Sequence, residues 1–171
     1  MALDFKLIDS LYEGLIALLP AMFANATPVI TRGRRPIDGG LKFVDGRRLL
    51  GDGKTWEGLI TGITAGILIG VLLAILLGEP RITYISLLSS TGAMIGDITA
   101  SFIKRRLGLE RGAPAPILDQ LNFYIGAVVL LYIAGFKTTL TIFITLAIIS
   151  AIAHIIANIV AYKLKLKNVP W

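Results

Sequence analysis

The chain alternates between long apolar runs and short, basic, glycine-rich stretches. Five runs approach the roughly 20 apolar residues that a helix needs to cross a bilayer: residues 7–30, 58–78, 82–103, 119–136 and 138–162. The second and fifth carry no Asp, Glu, Lys or Arg, whereas the third carries a single acid, Asp97. None shows the strict alternation of a membrane barrel strand. The pattern predicts an all-α integral membrane protein, a bundle of five transmembrane helices forming one domain over residues 1–171. Its two longer loops are residues 31–57 and 104–118.

Composition sharpens this picture by exclusion. Hydrophobic residues make up 55% of the chain and charged residues 16%, against about 25% charged in soluble domains. A soluble enzyme domain, a disordered tail and a coiled coil are therefore set aside. The chain contains no Cys, so disulfides and thiolate chemistry are excluded. The first ten residues carry Asp4 and Asp9 and no basic run, so no cleaved signal peptide is expected.

The net charge of +6 acquires a direction from where the bases fall. The first long loop holds seven Lys and Arg, the second four and the C-terminal tail three. Only Lys6, Arg81 and Lys137 fall on the other side of a five-span chain. The positive-inside bias then puts the long loops and the C-terminus in the cytoplasm and the N-terminus outside, in a multi-pass protein of the cell membrane. Anionic lipid and phosphate compounds become the expected partners, and nucleic acid does not. Gly62, Gly66 and Gly70 recur every fourth residue, a face for close helix packing. Packing within the chain is the favoured use; a homodimer is the alternative.

The sharpest chemical signal is Asp97, because an acid mid-span costs roughly 2.5–3.5 kcal/mol and marks function by default. Ser101, Lys104 and Arg105 follow on the same helical face. Asp119 and Gln120 open the fourth span at the same level. Alone, Asp119 reads as a helix cap; beside Asp97 it makes a carboxylate pair suited to Mg²⁺. The bases Lys104, Arg105 and Arg106 are then expected to face phosphates rather than the acids. Loop 31–57 is too long for a passive connector, and its mixture of Arg, Lys and turn glycines suits polyphosphate. Gly53-Lys54-Thr55 resembles the end of a P-loop, but Arg48 stands where the leading glycine belongs, so only Lys54 is kept as a phosphate candidate. His154 and Asn158, with Ser150 a turn earlier, read equally as interhelical hydrogen bonding or as a second polar wall of one cavity.

Gly96-Asp97, Ser101, Lys104-Arg105-Arg106, Pro114 and Asp119-Gln120 resemble the signature of the CTP-dependent phosphatidate cytidylyltransferases. Pro36-Ile37-Asp38-Gly39-Gly40, Asp45-Gly46-Arg47-Arg48 and Gly51–Gly58 are similar to the first cytoplasmic loop of the archaeal branch, the CDP-archaeol synthases. The resemblance implies that CTP reacts with 2,3-bis-O-geranylgeranylglycerol phosphate to give CDP-archaeol and diphosphate, with Mg²⁺ as cofactor. It implies Asp97 and Asp119 as metal ligands and catalytic residues together with Lys104. Arg47, Arg48, Lys54 and Thr55 would contact the nucleotide, and Ser101, Arg105, Arg106, Arg111 and Gln120 the phosphates. The family places a Lys directly before the second Asp; here that position is Leu118, and Arg111 is taken as the replacement base. A small transporter of phosphorylated solutes is the competing reading, but it would show paired halves. The CDP-alcohol phosphatidyltransferases are set aside because Asp45-Gly46-Arg47-Arg48 gives only the opening of their motif.

Overall fold

The computed structural model describes residues 10–170 and the backbone of Leu7 and Ile8. Asp4, Lys6 and Asp9, used above for the signal-peptide and charge arguments, lie outside the described residues. A short strand β1 (Leu7–Ile8) is followed by α1 (Leu11–Ala26), α2 (Pro28–Thr31), α3 (Trp56–Leu77), α4 (Arg81–Arg106), α5 (Leu118–Ile133), β2 (Lys137–Thr138) and α6 (Leu140–Lys163). The fold is all-helical apart from the parallel pairing of β1 with β2. That pairing ties the start of α1 to the α5–α6 turn, so both lie at one end of the bundle. Loops 32–55 and 107–117 and the chain beyond α6 lie at the other end.

Each apolar run becomes a helix, with shifted ends. Residues 7–30 do not form one unbroken helix, although Leu11–Thr31 remains one apolar stretch. Leu7 and Ile8 are extended, Ser10 accepts a hydrogen bond from Glu13 N at 3.2 Å and caps α1, and Pro28 opens the separate turn α2. The run 82–103 continues to Arg106. The run 119–136 ends early, at Ile133, because Gly135 takes a left-handed φ of +93°. Thr139 caps α6 by accepting from Ile142 N, which moves its start to Leu140.

Among the described residues, three helical stretches are long and apolar enough to cross a membrane: Leu11–Thr31, Trp56–Leu77 and Leu140–Lys163. α5 is apolar but shorter, and α4 is long but more polar. α4 is the central element, packed against α1, α3 and α5. Its Ser86, Ser89 and Ser90 are buried against neighbours rather than turned outward. Ser86 Oγ donates to Ile82 O at 2.6 Å, which satisfies its hydroxyl inside the helix.

Small residues set the helix spacings. A Cβ on Gly66 would overlap Ser90 and one on Gly70 would overlap Ser86, while Gly62 faces Ala24 and Met94. The four-residue glycine face of α3 is thus taken up by packing within the chain. The α4–α5 crossing is closer still: a Cβ on Gly96 would overlap Asn122 O, and one on Gly126 would overlap Gly92 O. This crossing brings the Asp97 turn of α4 beside the first turns of α5.

Candidate active site

The long loop before α3 is built around one buried carboxylate. Asp38, with a fully buried side chain, accepts from Leu50 N and Gly51 N at 2.9 Å and from Gly40 N at 3.2 Å. Arg48 donates to both of its oxygens, at 2.7 and 3.3 Å. Burial opposes ionisation of Asp38, but Arg48 and these three N–H groups outweigh it and hold the carboxyl well below its usual range. Arg48 also pairs with Asp52 at 2.7 Å.

A second set of contacts fastens this loop to the end of α4. Arg106 donates to Asp45 at 2.8 Å and to Arg48 O at 2.5 Å, and its guanidinium lies 4.7 Å from the Phe43 ring and 5.0 Å from the Phe102 ring. Arg47 donates back to Arg106 O at 2.7 Å. Ile37 N to Lys54 O and Trp56 N to Arg35 O then close the base of the loop, where Thr55 caps α3 by accepting from Gly58 N at 3.1 Å.

The result is a cavity of about 1170 Å³ between α1, α4, α5, α6 and this loop. Lys54 reaches in from the loop and donates to Asp97 Oδ2 at 2.5 Å. Lys104, from the last turn of α4, donates to Asp119 Oδ1 at 2.8 Å. Asp119 Oδ2 accepts from Ala115 N at 2.8 Å. That carboxylate follows a γ-turn in which Ile117 takes φ +69° and Leu118 N donates to Pro116 O at 2.8 Å. A β-branched residue at positive φ is strained backbone, and here it sets the direction in which α5 presents Asp119.

The predicted residues divide into two groups. Asp97, Ser101, Lys104, Asp119, Lys54, Thr55 and Arg111 all line the cavity. Arg47, Arg48, Arg105, Arg106 and Gln120 do not. Arg47, Arg48 and Arg106 are used to build and dock the loop. Arg105 lies against Gly51, and Gln120 accepts from Ile117 N at 2.5 Å across the start of α5. The expectation that Lys104, Arg105 and Arg106 face phosphates rather than acids is corrected for Lys104 and Arg106. Lys104 is bound to Asp119 and Arg106 to Asp45, because carboxylates lie within reach of both. His154 and Asn158 do form a second polar wall of the same cavity. His154 stacks on Phe123 and its Nδ1 lies 3.3 Å from Asn25 Nδ2. Sequence reasoning missed Asn122, although its spacing of three from Asp119 puts both on one face of α5. It also missed Asn25, which nothing local distinguishes.

Among the described residues no three His, Cys, Asp or Glu converge as a closed metal centre. Asp97 and Asp119, which line the same cavity, would offer an open, all-oxygen donor set. Such a set suits Mg²⁺, which takes one or two carboxylates and completes its shell with water and phosphate.

Residues 7–171 match the family model described as CarS-like, CDP-archaeol synthase. A CDP-archaeol synthase of Aeropyrum pernix is 50% identical over 171 residues, covering 100% of this chain and 98% of its own. One of Hyperthermus butylicus is 49% identical, covering 93% and 95%. One of Methanopyrus kandleri is 46% identical, covering 93% and 92%. A solved structure, of an intramembrane enzyme for archaeal membrane lipid biosynthesis, superimposes with a TM-score of 0.87 at 49% identity and covers 92% of this chain and 99% of that one. With the match running through both carboxylates, the loop and the helices that carry them, the chain belongs to the CDP-archaeol synthase family.

Proposed function

We infer that this chain is a CTP-dependent cytidylyltransferase of archaeal phospholipid synthesis. It joins CTP and 2,3-bis-O-geranylgeranylglycerol 1-phosphate into CDP-archaeol and releases diphosphate. The observation that carries the reading is the pair Asp97 and Asp119, each held by a lysine, on the wall of one large cavity at the basic end of an apolar bundle.

The chemistry asks little of a protein nucleophile. A phosphate oxygen of the lipid attacks the α-phosphorus of CTP; the new P–O bond forms as the bond to the β-phosphate bridge breaks, and diphosphate leaves with that electron pair. No Ser or Cys is required. The task is alignment of two anions that repel each other and compensation of their charge. Asp97 and Asp119 would hold Mg²⁺, which when bound neutralises phosphate charge and polarises the P–O bonds. Lys54 and Lys104 orient the two carboxylates, and with Arg111 they supply positive charge to the phosphates. Ser101, one turn beyond Asp97, offers a hydroxyl to the same space.

In the same reading the helices cross the membrane five times, α4 and α5 included, as one catalytic domain over residues 1–171. The N-terminus is outside and the cavity opens to the cytoplasm in the cell membrane. Support comes from the seven Lys and Arg of the first loop and from the grouping of both long loops at one end of the bundle. The isoprenoid chains stay in the bilayer while the headgroup enters from it.

The test is a product assay on purified chain in detergent, with labelled CTP and the lipid phosphate. CDP-lipid and diphosphate are expected in equal amounts, abolished by EDTA and restored by Mg²⁺. Absence of CDP-lipid under saturating Mg²⁺ would overturn the function. Product formation in excess chelator would overturn the metal assignment.

A further inference from the structure

The chain beyond α6 turns back on itself. Leu164 caps the helix, and Lys165 takes a left-handed φ of +57°. Leu166 N then donates to Ala161 O and Lys165 N to Tyr162 O, both at 2.9 Å. This paired closure of a helix end ordinarily has glycine at the left-handed position; a side chain there is sterically disfavoured. The reversal lays Leu166 and Lys167 along the last turns of α6. Lys167 Nζ donates to Asn158 Oδ1 at 2.9 Å, and both residues line the cavity that holds Asp97 and Asp119.

The electrostatics of that cavity call for an anion. Its lining carries five cationic side chains, Arg32, Lys54, Lys104, Arg111 and Lys167, against Asp52, Asp97 and Asp119. Lys167 is within electrostatic reach of the carboxylate–lysine pairs. Burial holds its ammonium below the usual lysine range, Asp119 opposes that, and Lys104 and Lys54 add to it. A half-buried cation with two other lysines near it is favoured by a multiply charged anion arriving beside it.

We propose that Lys167, oriented by Asn158, is a phosphate-binding residue of the active site, delivered to it by the reversed tail of residues 164–170. The inference rests on the cytidylyl-transfer reading and extends the site to a segment otherwise accounted for only by its contribution to membrane orientation. The phosphate belongs either to CTP or to the lipid.

The experiment measures saturation kinetics for both substrates, and direct binding of CTP and of the lipid phosphate in micelles, on full-length wild type and K167Q. Replacing a charged hydrogen-bond donor to phosphate is expected to raise one KM and the matching dissociation constant about tenfold or more. kcat should fall less, and K167R should recover most of the loss. A rise confined to CTP assigns the triphosphate; a rise confined to the lipid assigns its headgroup. N158A, which removes this hydrogen bond but keeps the ammonium, should weaken the same substrate to a smaller degree, and it serves as the probe should K167Q not fold. Unchanged affinities for both substrates in a folded variant would overturn the proposal. A wild-type chain that binds both compounds yet forms no CDP-lipid would overturn cytidylyl transfer instead and leave the binding comparison valid.

Discussion

Lys54 and Asp97 stand 43 positions apart in the chain and meet at 2.5 Å, joining the long loop to the middle of the central helix. The pair makes a divided prediction. Asp97→Asn retains shape and a hydrogen-bonding partner for Lys54 but loses the charge that holds a divalent ion. Turnover should fall at least about a hundredfold, with the melting temperature in detergent close to wild type. Near-native turnover would remove Asp97 from the metal site.

The arginines of the loop and of the α4 terminus should behave differently from the cavity bases. Arg48→Ala and Arg106→Ala take away loop-building contacts and should cost about 1–3 kcal/mol of stability. Lys54→Ala and Arg111→Ala should raise the KM for CTP with a smaller effect on melting. The two classes are separated by measuring thermal melting and CTP saturation on all four variants. Uniform KM effects across them would argue against the division.

Asp38 predicts a pH dependence with a definite sign. Its folded carboxyl titrates below its ordinary value, so it adds stability that is fully present above about pH 4 and is lost as pH falls toward the folded value. Asp38→Ala should cost about 3–5 kcal/mol at neutral pH, because it leaves Arg48 and three N–H groups in place without their acceptor. The gap in melting temperature between wild type and variant should stay constant from pH 7 to 5 and narrow below pH 4. A gap that widened in acid would contradict this account.

The α4–α5 crossing tolerates no side chain at its closest points. Gly126→Ala places a methyl on Gly92 O, and overpacking of this kind costs about 1–3 kcal/mol. Because the crossing also sets the distance between the Asp97 and Asp119 turns, activity should fall by more than the loss of folded protein explains. Specific activity per folded molecule, measured after size-exclusion chromatography, is the test. An unchanged specific activity would mean that the crossing serves stability alone.

How much of this could be read beforehand differs by residue. The two carboxylates were legible because a membrane makes an acid conspicuous, and helical spacing carried Ser101 and Lys104 to the same face. The bundle was legible from run lengths. The ends of its helices were not: the strand pairing of Leu7–Ile8 with Lys137–Thr138 depends on residues 130 apart, which no local pattern reports. The arginines were misjudged for a related reason. Arg48 and Arg106 look like phosphate ligands until Asp38 and Asp45 are folded against them, and only the tertiary loop does that. Lys167 was invisible because its direction depends on the left-handed Lys165, a backbone choice that sequence would assign to glycine.

The serines buried along α4 carry a consequence for how the protein enters the bilayer. A segment with Ser86, Ser89, Ser90 and Asp97 turned toward its neighbours is poorly suited to partition into lipid by itself. The connection to α3 is only Gly78-Glu79-Pro80, so the two helices form a hairpin whose apolar member offsets the polar one. Biogenesis should accordingly handle them as a single inserting unit. In the proposed five-span topology, lengthening that turn with a flexible linker should leave α4 stranded on the wrong side of the membrane in a fraction of the molecules.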